Sequence, residues 1–342
     1  MRVVIACDSV GPLDTVSAGR TLAGLWRDAG AQVAVVPTAA TVQGLCDALV
    51  AWGVAAPAAD GATRTDRAMI VVPGIHAEVD ASGEEREADP WTATTSREGA
   101  TLARALRDPR PLVAVDLTRV AAHDGGAAIL AALGAAADVP LDGGWEHLAG
   151  ITRLDLRPAR AGLGNSGLVG IIAPEDAEVP LTSLRGVSSV KGRGLGRDLR
   201  ILVEADEAIS ALARASGVDP LQPGAGGGWG AAHAVLALGG RLSSAPALAS
   251  ELADLARTLR HADLLVSACT SLDIGNYGGP VIRHLADLAG AAEVPFVVGA
   301  ATVAMGGREL RTLGIEAAYT LDGDDTACLA GSAEGMVRTW RW

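Results

Sequence analysis

The chain opens and closes on the same grammar, short apolar runs alternating with helical segments, and this restricts its fold more than any other feature. An apolar run over 3–7 ends at Asp8-Ser9, and a helical stretch over 17–29 is closed by Gly30. A second run over 32–36 stops at Pro37, and a helix over 41–52 follows. At the far end the spacing predicts strands over 264–268, 295–300 and 317–321, helices over 281–292 and 307–313, and a last helix over 326–339. Strands joined through helices pair in parallel, and the result is a doubly wound sheet covered on both faces. Aromatic residues are only 3% of the chain, so the core is built from Ala, Val and Leu, which suits helices packed closely on such a sheet.

Between these blocks the texture changes. Residues 53–66 are rich in Ala, Gly and Asp and read as a linker or loop. Strands are predicted over 70–73, 112–116 and 168–173, and a helix over 201–216. Residues 174–198 carry Pro, Ser and Gly with little periodicity. The expected architecture is α/β: a discontinuous doubly wound (Rossmann-like) domain from residues 1–65 and 235–342, with a second α/β domain, 66–234, inserted. A length of 342 residues is ample for both.

Charge narrows the partners. A net charge of −12 and the scarcity of aromatics argue against nucleic acid and anionic membranes. An anionic small molecule would then need a local cationic or metal-bearing site. Cys7, Cys46, Cys269 and Cys328 are scattered without Cys-x-x-Cys spacing, so they read as reduced thiols rather than a disulfide framework or zinc cluster. No residue set reads as a metal site from spacing. No apolar segment is long enough to span a bilayer, and the expected location is the cytoplasm. Trp340 and Trp342 suit either pinning of the last helix or a subunit contact, which leaves a homo-oligomer open.

Lys191 is the single lysine among 28 basic residues, the rest being arginine. It stands in the run Val190-Lys191-Gly192-Arg193-Gly194-Leu195-Gly196. An ammonium is a compact, rotatable point charge suited to phosphate oxygens, where guanidinium is a planar fork; the plain alternative is a solvated loop residue. Gly224, Gly226, Gly227 and Gly228 lie just before a helical run and read either as an anion cradle or as close backbone packing. Asp8, Ser9, Asp116 and Asp273 fall at predicted strand ends, where a carboxylate holds magnesium, orients a hydroxyl or simply caps a turn. His123-Asp124-Gly125-Gly126 offers either an acid–base pair or a helix cap. Cys269 reads as a nucleophile without a paired His or as a small buried hydrophobe.

In order along the chain these pieces resemble the bacterial glycerate kinase family. Ala6-Cys7-Asp8-Ser9 with Ser17-Ala18 is similar to its first strand end, and Thr94-Thr95-Ser96-Arg97-Glu98-Gly99 to its Thr-Thr-Ser/Tyr segment. His123-Asp124-Gly125-Gly126-Ala127 resembles its Asn-Asp-Gly-Gly-Ala, and Lys191-Gly192 its Gln-Lys-Gly. Gly224–Gly230 is similar to its glycine-rich segment, and Leu272-Asp273 to the end of Gly-Glu-Gly-Arg-Leu-Asp. The resemblance implies phosphoryl transfer from ATP, with magnesium, to D-glycerate or a related small hydroxy acid. It implies catalytic roles for Lys191, Asp124 and Asp273, and cofactor contacts from Asp8, Ser9, Gly125, Gly126 and the glycine run. Several family charges are replaced: Val10-Gly11-Pro12 stands where a lysine is found, Ala39–Leu45 lacks two carboxylates, and Ala268-Cys269-Thr270-Ser271 lacks Glu and Arg. The alternative is therefore a catalytically impaired relative that binds a small anion or a protein partner.

Overall fold

The computed structural model describes residues 1–73, 77–79, 85–87 and 89–342. The chain begins with strand β1 (Arg2–Ile5), helix α1 (Thr15–Asp28), β2 (Gln32–Val35) and α2 (Val42–Ala51). Asp14 sets the start of α1, its carboxylate accepting from the Ser17 amide at 2.8 Å, and Leu22, Ala23 and Trp26 form the buried stripe. The chain then builds β3 (Ala56–Pro57), β4 (Ala62–Arg64), β5 (Ala68–Val71), the backbone hairpin β6 (Ala77–Val79) and β7 (Glu85–Glu87), α3 (Ser96–Ala105) and β8 (Leu112–Asp116). It continues through α4 (Ala127–Ala132), the small hairpin β9 (Ala136–Ala137) and β10 (Leu154–Asp155), α5 (Arg157–Leu163) and β11 (Gly167–Ile171). Then come α6 (Val187–Gly194), α7 (Leu199–Ser216), α8 (Ala232–Ala237) and β12 (Arg241–Ser243). Last are α9 (Ala245–Leu252), α10 (Leu255–Leu259), β13 (Leu264–Leu272), α11 (Gly279–Ala292), β14 (Phe296–Val303), α12 (Gly307–Thr312), β15 (Ala317–Thr320) and α13 (Thr326–Trp340).

These elements group into two compact units, Met1–Ala55 with Ala245–Trp342, and Ala56–Ser244. The first unit holds a parallel sheet of order β15-β14-β13-β1-β2. Val3, Val4 and Ile5 of β1 stand in register with Leu264, Leu265 and Val266 of β13. Both faces are covered, so β13 reads as an almost unbroken apolar run; its one buried hydroxyl, Ser267, donates to the Ala6 carbonyl. The second unit holds a sheet of order β12-β11-β8-β5-β4-β3, parallel from β12 to β5 and antiparallel at the β4 and β3 edge.

Three stretches differ from their sequence reading. Residues 53–66 contain β3 and β4 rather than only a linker or loop; Arg64 closes the hairpin on Asp60 at 2.6 Å, and its pairing with β5 and its bond to the Ala105 carbonyl at 3.3 Å tie the edge to the second unit. Likewise 235–243 contains part of α8 and the sheet strand β12, so the grouping breaks at 55/56 and 244/245 where the sequence reading has 65/66 and 234/235. The irregular stretch 174–198 contains α6, which makes Lys191 a helix residue. This helix has weak local propensity and is formed by tertiary contact. A Cβ on Gly192 would stand 2.3 Å from Leu202 and 2.7 Å from Trp91, so only glycine permits this approach.

Candidate active site

In the first unit the winding reverses between β1 and β13: the chain steps outward from β1 to β2, then resumes on the other side of β1 and proceeds through β14 to β15. Ligands of open parallel sheets bind beyond the carboxyl ends at such a switch point. Asp8 and Ser9 follow β1 there, and Thr270, Ser271 and Asp273 lie at the end of β13. The Asp8 carboxylate accepts from the Ser9 amide at 2.9 Å, and burial raises its pKa while the Ser9 and Ala40 amides oppose the shift. The Thr270 hydroxyl donates to the Ser9 carbonyl at 3.1 Å and accepts from the Gly11 amide at 3.1 Å, stitching the two strand ends together. Thr15 adds a brace, its hydroxyl 2.6 Å from the Cys7 carbonyl and 2.8 Å from that of Thr38. Asp273 accepts from the Ser271 hydroxyl and from the Gly275 and Asn276 amides, donors that hold it below the usual carboxylate range. Cys269 is buried and its thiol is pushed up to about 12, so it is no thiolate near neutrality.

In the second unit Lys191 lies on α6 with its side chain 36% exposed. Its ammonium is 3.9 Å from Oδ1 of Asp176, which follows the carboxyl end of β11, and 5.9 Å from the centre of the Trp229 ring. The other Asp176 oxygen accepts from the Gly228 amide at 3.1 Å. Helix, strand end and glycine run therefore meet at one ammonium. His123 is buried beside them, with Nε2 3.0 Å from the Ser188 hydroxyl on α6 and its ring 4.7 Å from Trp91 and 6.4 Å from Trp229. Trp91 in turn packs on Trp145 at 5.9 Å. Three of the seven tryptophans thus gather at one place.

Other expected residues have architectural surroundings. Asp124 is fully buried and accepts from the Thr95 amide (2.8 Å), the Thr95 hydroxyl (2.9 Å), the Gly126 amide (2.9 Å) and the Ala128 amide (3.4 Å). It joins the loop before α3 to the first turn of α4, with Gly125 and Gly126 forming the turn between. Burial raises its pKa to about 6, against the pull of these donors. Asp116 likewise caps its own turn through the Thr118 amide and hydroxyl at 2.9 and 2.7 Å. In the glycine run, the amides of Gly226, Gly227 and Gly228 donate to the Val179 carbonyl, the Gly224 carbonyl and Asp176. At Gly228, φ is +58° and a Cβ would lie 2.6 Å from the Leu117 carbonyl oxygen, so close packing requires the glycine there.

Two buried imidazoles set the acid response of this unit. His233 bonds the Gly125 carbonyl through Nδ1 and the Ser216 hydroxyl through Nε2, both at 2.8 Å, as a neutral ring does. Burial lowers both His233 and His123 to about 4. From pH 6.5 down to about 4 the unfolded chain takes up protons that these folded rings refuse, so stability falls on acidification by up to about 3 kcal/mol per ring. Asp124, shifted the opposite way, offsets part of this loss. Melting curves between pH 7 and 4.5 should show the decline, and His123→Asn should flatten it; an equal slope in that variant would remove His123 from the account.

Lys191 and Asp176 meet within the second unit, and Asp8 and Asp273 share the switch point of the first. Asp176, Trp229 and Ser188 were not singled out from sequence. The strand-end signal that marked Asp8 also fits Asp176, but it lies in a stretch that reads as irregular. Among the described residues no group of three metal-ligating side chains forms, and no helix is long and apolar enough to cross a membrane.

The sequence profile of the glycerate kinase family matches residues 3–334. Two uncharacterized proteins, one of Mycobacterium bovis and one of Mycobacterium tuberculosis, are each 29% identical over 229 residues, 65% of this chain and 54% of theirs. The chain thus matches about half the length of these curated relatives. A crystal structure of a candidate glycerate kinase 2 from Salmonella typhimurium superposes with a TM-score of 0.76 at 20% identity, covering 99% of this chain and 96% of that one, and shows the same mixed α/β fold.

Proposed function

We propose, on the premise that the chain belongs to the glycerate kinase family, that it transfers a phosphoryl group from ATP to a hydroxyl of D-glycerate or a related small hydroxy acid. Such a reaction needs positioning and charge neutralisation more than covalent chemistry. The observation that carries the reading is the setting of the one lysine: a side chain about one-third exposed, on a helix packed through Ser188 and Gly192, beyond the carboxyl end of β11, with Asp176 as its acidic neighbour. Its role is to meet the phosphoryl oxygens as charge shifts among them.

Magnesium neutralises phosphate charge when bound, and it commonly takes only one or two protein carboxylates, the rest being water and phosphate. Asp8 and Asp273 at the switch point are the carboxylates suited to it. The cradle expected at Gly224–Gly228 fits a phosphate less well, because the amides of Gly226, Gly227 and Gly228 already have acceptors inside the chain. That same saturation favours the second reading, a family relative that has given up catalysis and binds a small anion or a protein partner.

A coupled ADP-release assay with ATP, magnesium and a panel of hydroxy acids headed by D-glycerate separates the two. Enzyme-dependent phosphoglycerate is expected. Background ADP release with every acceptor, from protein shown to be folded, would sink the kinase reading in favour of the second.

A further inference from the structure

We propose that Trp229 is a positioning residue for Lys191, holding the ammonium in one place rather than merely lying beside it. The lysine stem has four rotatable carbons, and an ammonium that is only partly buried ordinarily samples many rotamers. Here it is bounded by Asp176 at 3.9 Å and by the indole face at 5.9 Å.

Both boundaries belong to one construction. Gly228, Trp229 and Gly230 have φ of +58°, +56° and +95°, three successive residues in the left-handed region. Glycine adopts that conformation freely, whereas tryptophan does so at a steric cost. The run nevertheless carries an indole between two glycines, in a chain that is only 3% aromatic. The backbone turn aims the Gly228 amide at Asp176 and puts the Trp229 ring edge-on to His123 at 67° between planes. His123 then reaches Ser188, one helical turn before Lys191 on the same helix. Two short circuits therefore close on the ammonium, one through Asp176 and Gly228, the other through His123 and Ser188, and Trp229 is common to both.

The single lysine makes this measurable. Reductive methylation with 13C-formaldehyde labels Lys191 and the chain N-terminus and preserves the charge. In the wild-type protein 13C relaxation of the dimethyl group should report an ordered side chain. In Trp229→Leu it should approach the mobility of a free surface lysine. Trp229→Gly, which suits the left-handed backbone and so preserves the run, should do the same. The effect on turnover rests on the phosphoryl-transfer reading: kcat should fall about three- to thirtyfold in both variants, with partial recovery in Trp229→Phe, while KM moves less than about twofold. Folded variants with Lys191 as ordered as in the wild type would overturn the proposal, as would a wild-type lysine already as mobile as a free one. Should the wild type turn over no acceptor, the kinase reading fails, and relaxation still decides the role of Trp229.

Discussion

Replacing Lys191 with Met is expected to lower phosphoryl transfer by a hundredfold or more while the protein stays folded. Methionine keeps an unbranched apolar stem that can lie on the Trp229 ring, so the change removes a charge and little packing. Losing one charged contact to a transferring group costs on the order of a hundred- to a thousandfold in rate, or about 2.7–4 kcal/mol. Several charges typical of the family are already replaced in this chain, so on the proposed reading Lys191 would carry a larger share. The neighbouring Asp176 keeps its bond from the Gly228 amide and is not left without a partner. Lys191→Arg is the informative control. A planar fork cannot follow a phosphoryl group as a rotatable ammonium does, and arginine should restore only part of the rate. The measurement is kcat/KM for D-glycerate beside circular dichroism; full turnover in the Met variant would take Lys191 out of the mechanism.

The second large effect is on stability. Asp124→Ala should destabilise the Ala56–Ser244 unit by about 3 kcal/mol or more, because it strips several buried donors of one acceptor. Thr95 loses a partner for both its amide and its hydroxyl, and the Gly126 amide loses its own. The hydroxyl retains the Ile129 amide as a donor to it, which limits the damage on that side. For a unit of this size the loss corresponds to a fall in Tm of roughly 6–12 °C. A Tm within about 2 °C of wild type would mean that water reaches these donors or that the loop repacks. Asp124 in a catalytic role would instead give a folded, equally stable and inactive variant.

Much of the first unit was legible because its elements are specified locally. Asp14 before α1, Asp325 before α13 and Gly30 after α1 are punctuation that a reader of sequence meets in order. The stretches misread were those whose form is decided from a distance. β3 and β4 are two and three residues long and exist through pairing with β5, and α6 is held by Trp91 and Leu202 around a glycine. The same holds for the site. Lys191 and Asp273 were visible as an unusual residue and a strand-end carboxylate. Asp176 and Trp229 gain their meaning only when folding brings two separate segments to one ammonium, with His123 joined to them through Trp229 and Ser188.

The pairing of β1 with β13 has a consequence for synthesis on the ribosome. β1 and β2 emerge well before β13, and one edge of β1 has no native neighbour until residues 264–266 have been made. Residues 56–244 are contiguous and can complete their own sheet in the interval. At about 5–20 residues per second, making the intervening 189 residues takes roughly ten to forty seconds. For that time an apolar strand edge waits for its partner, while the contiguous middle unit has all of its own strands to close on.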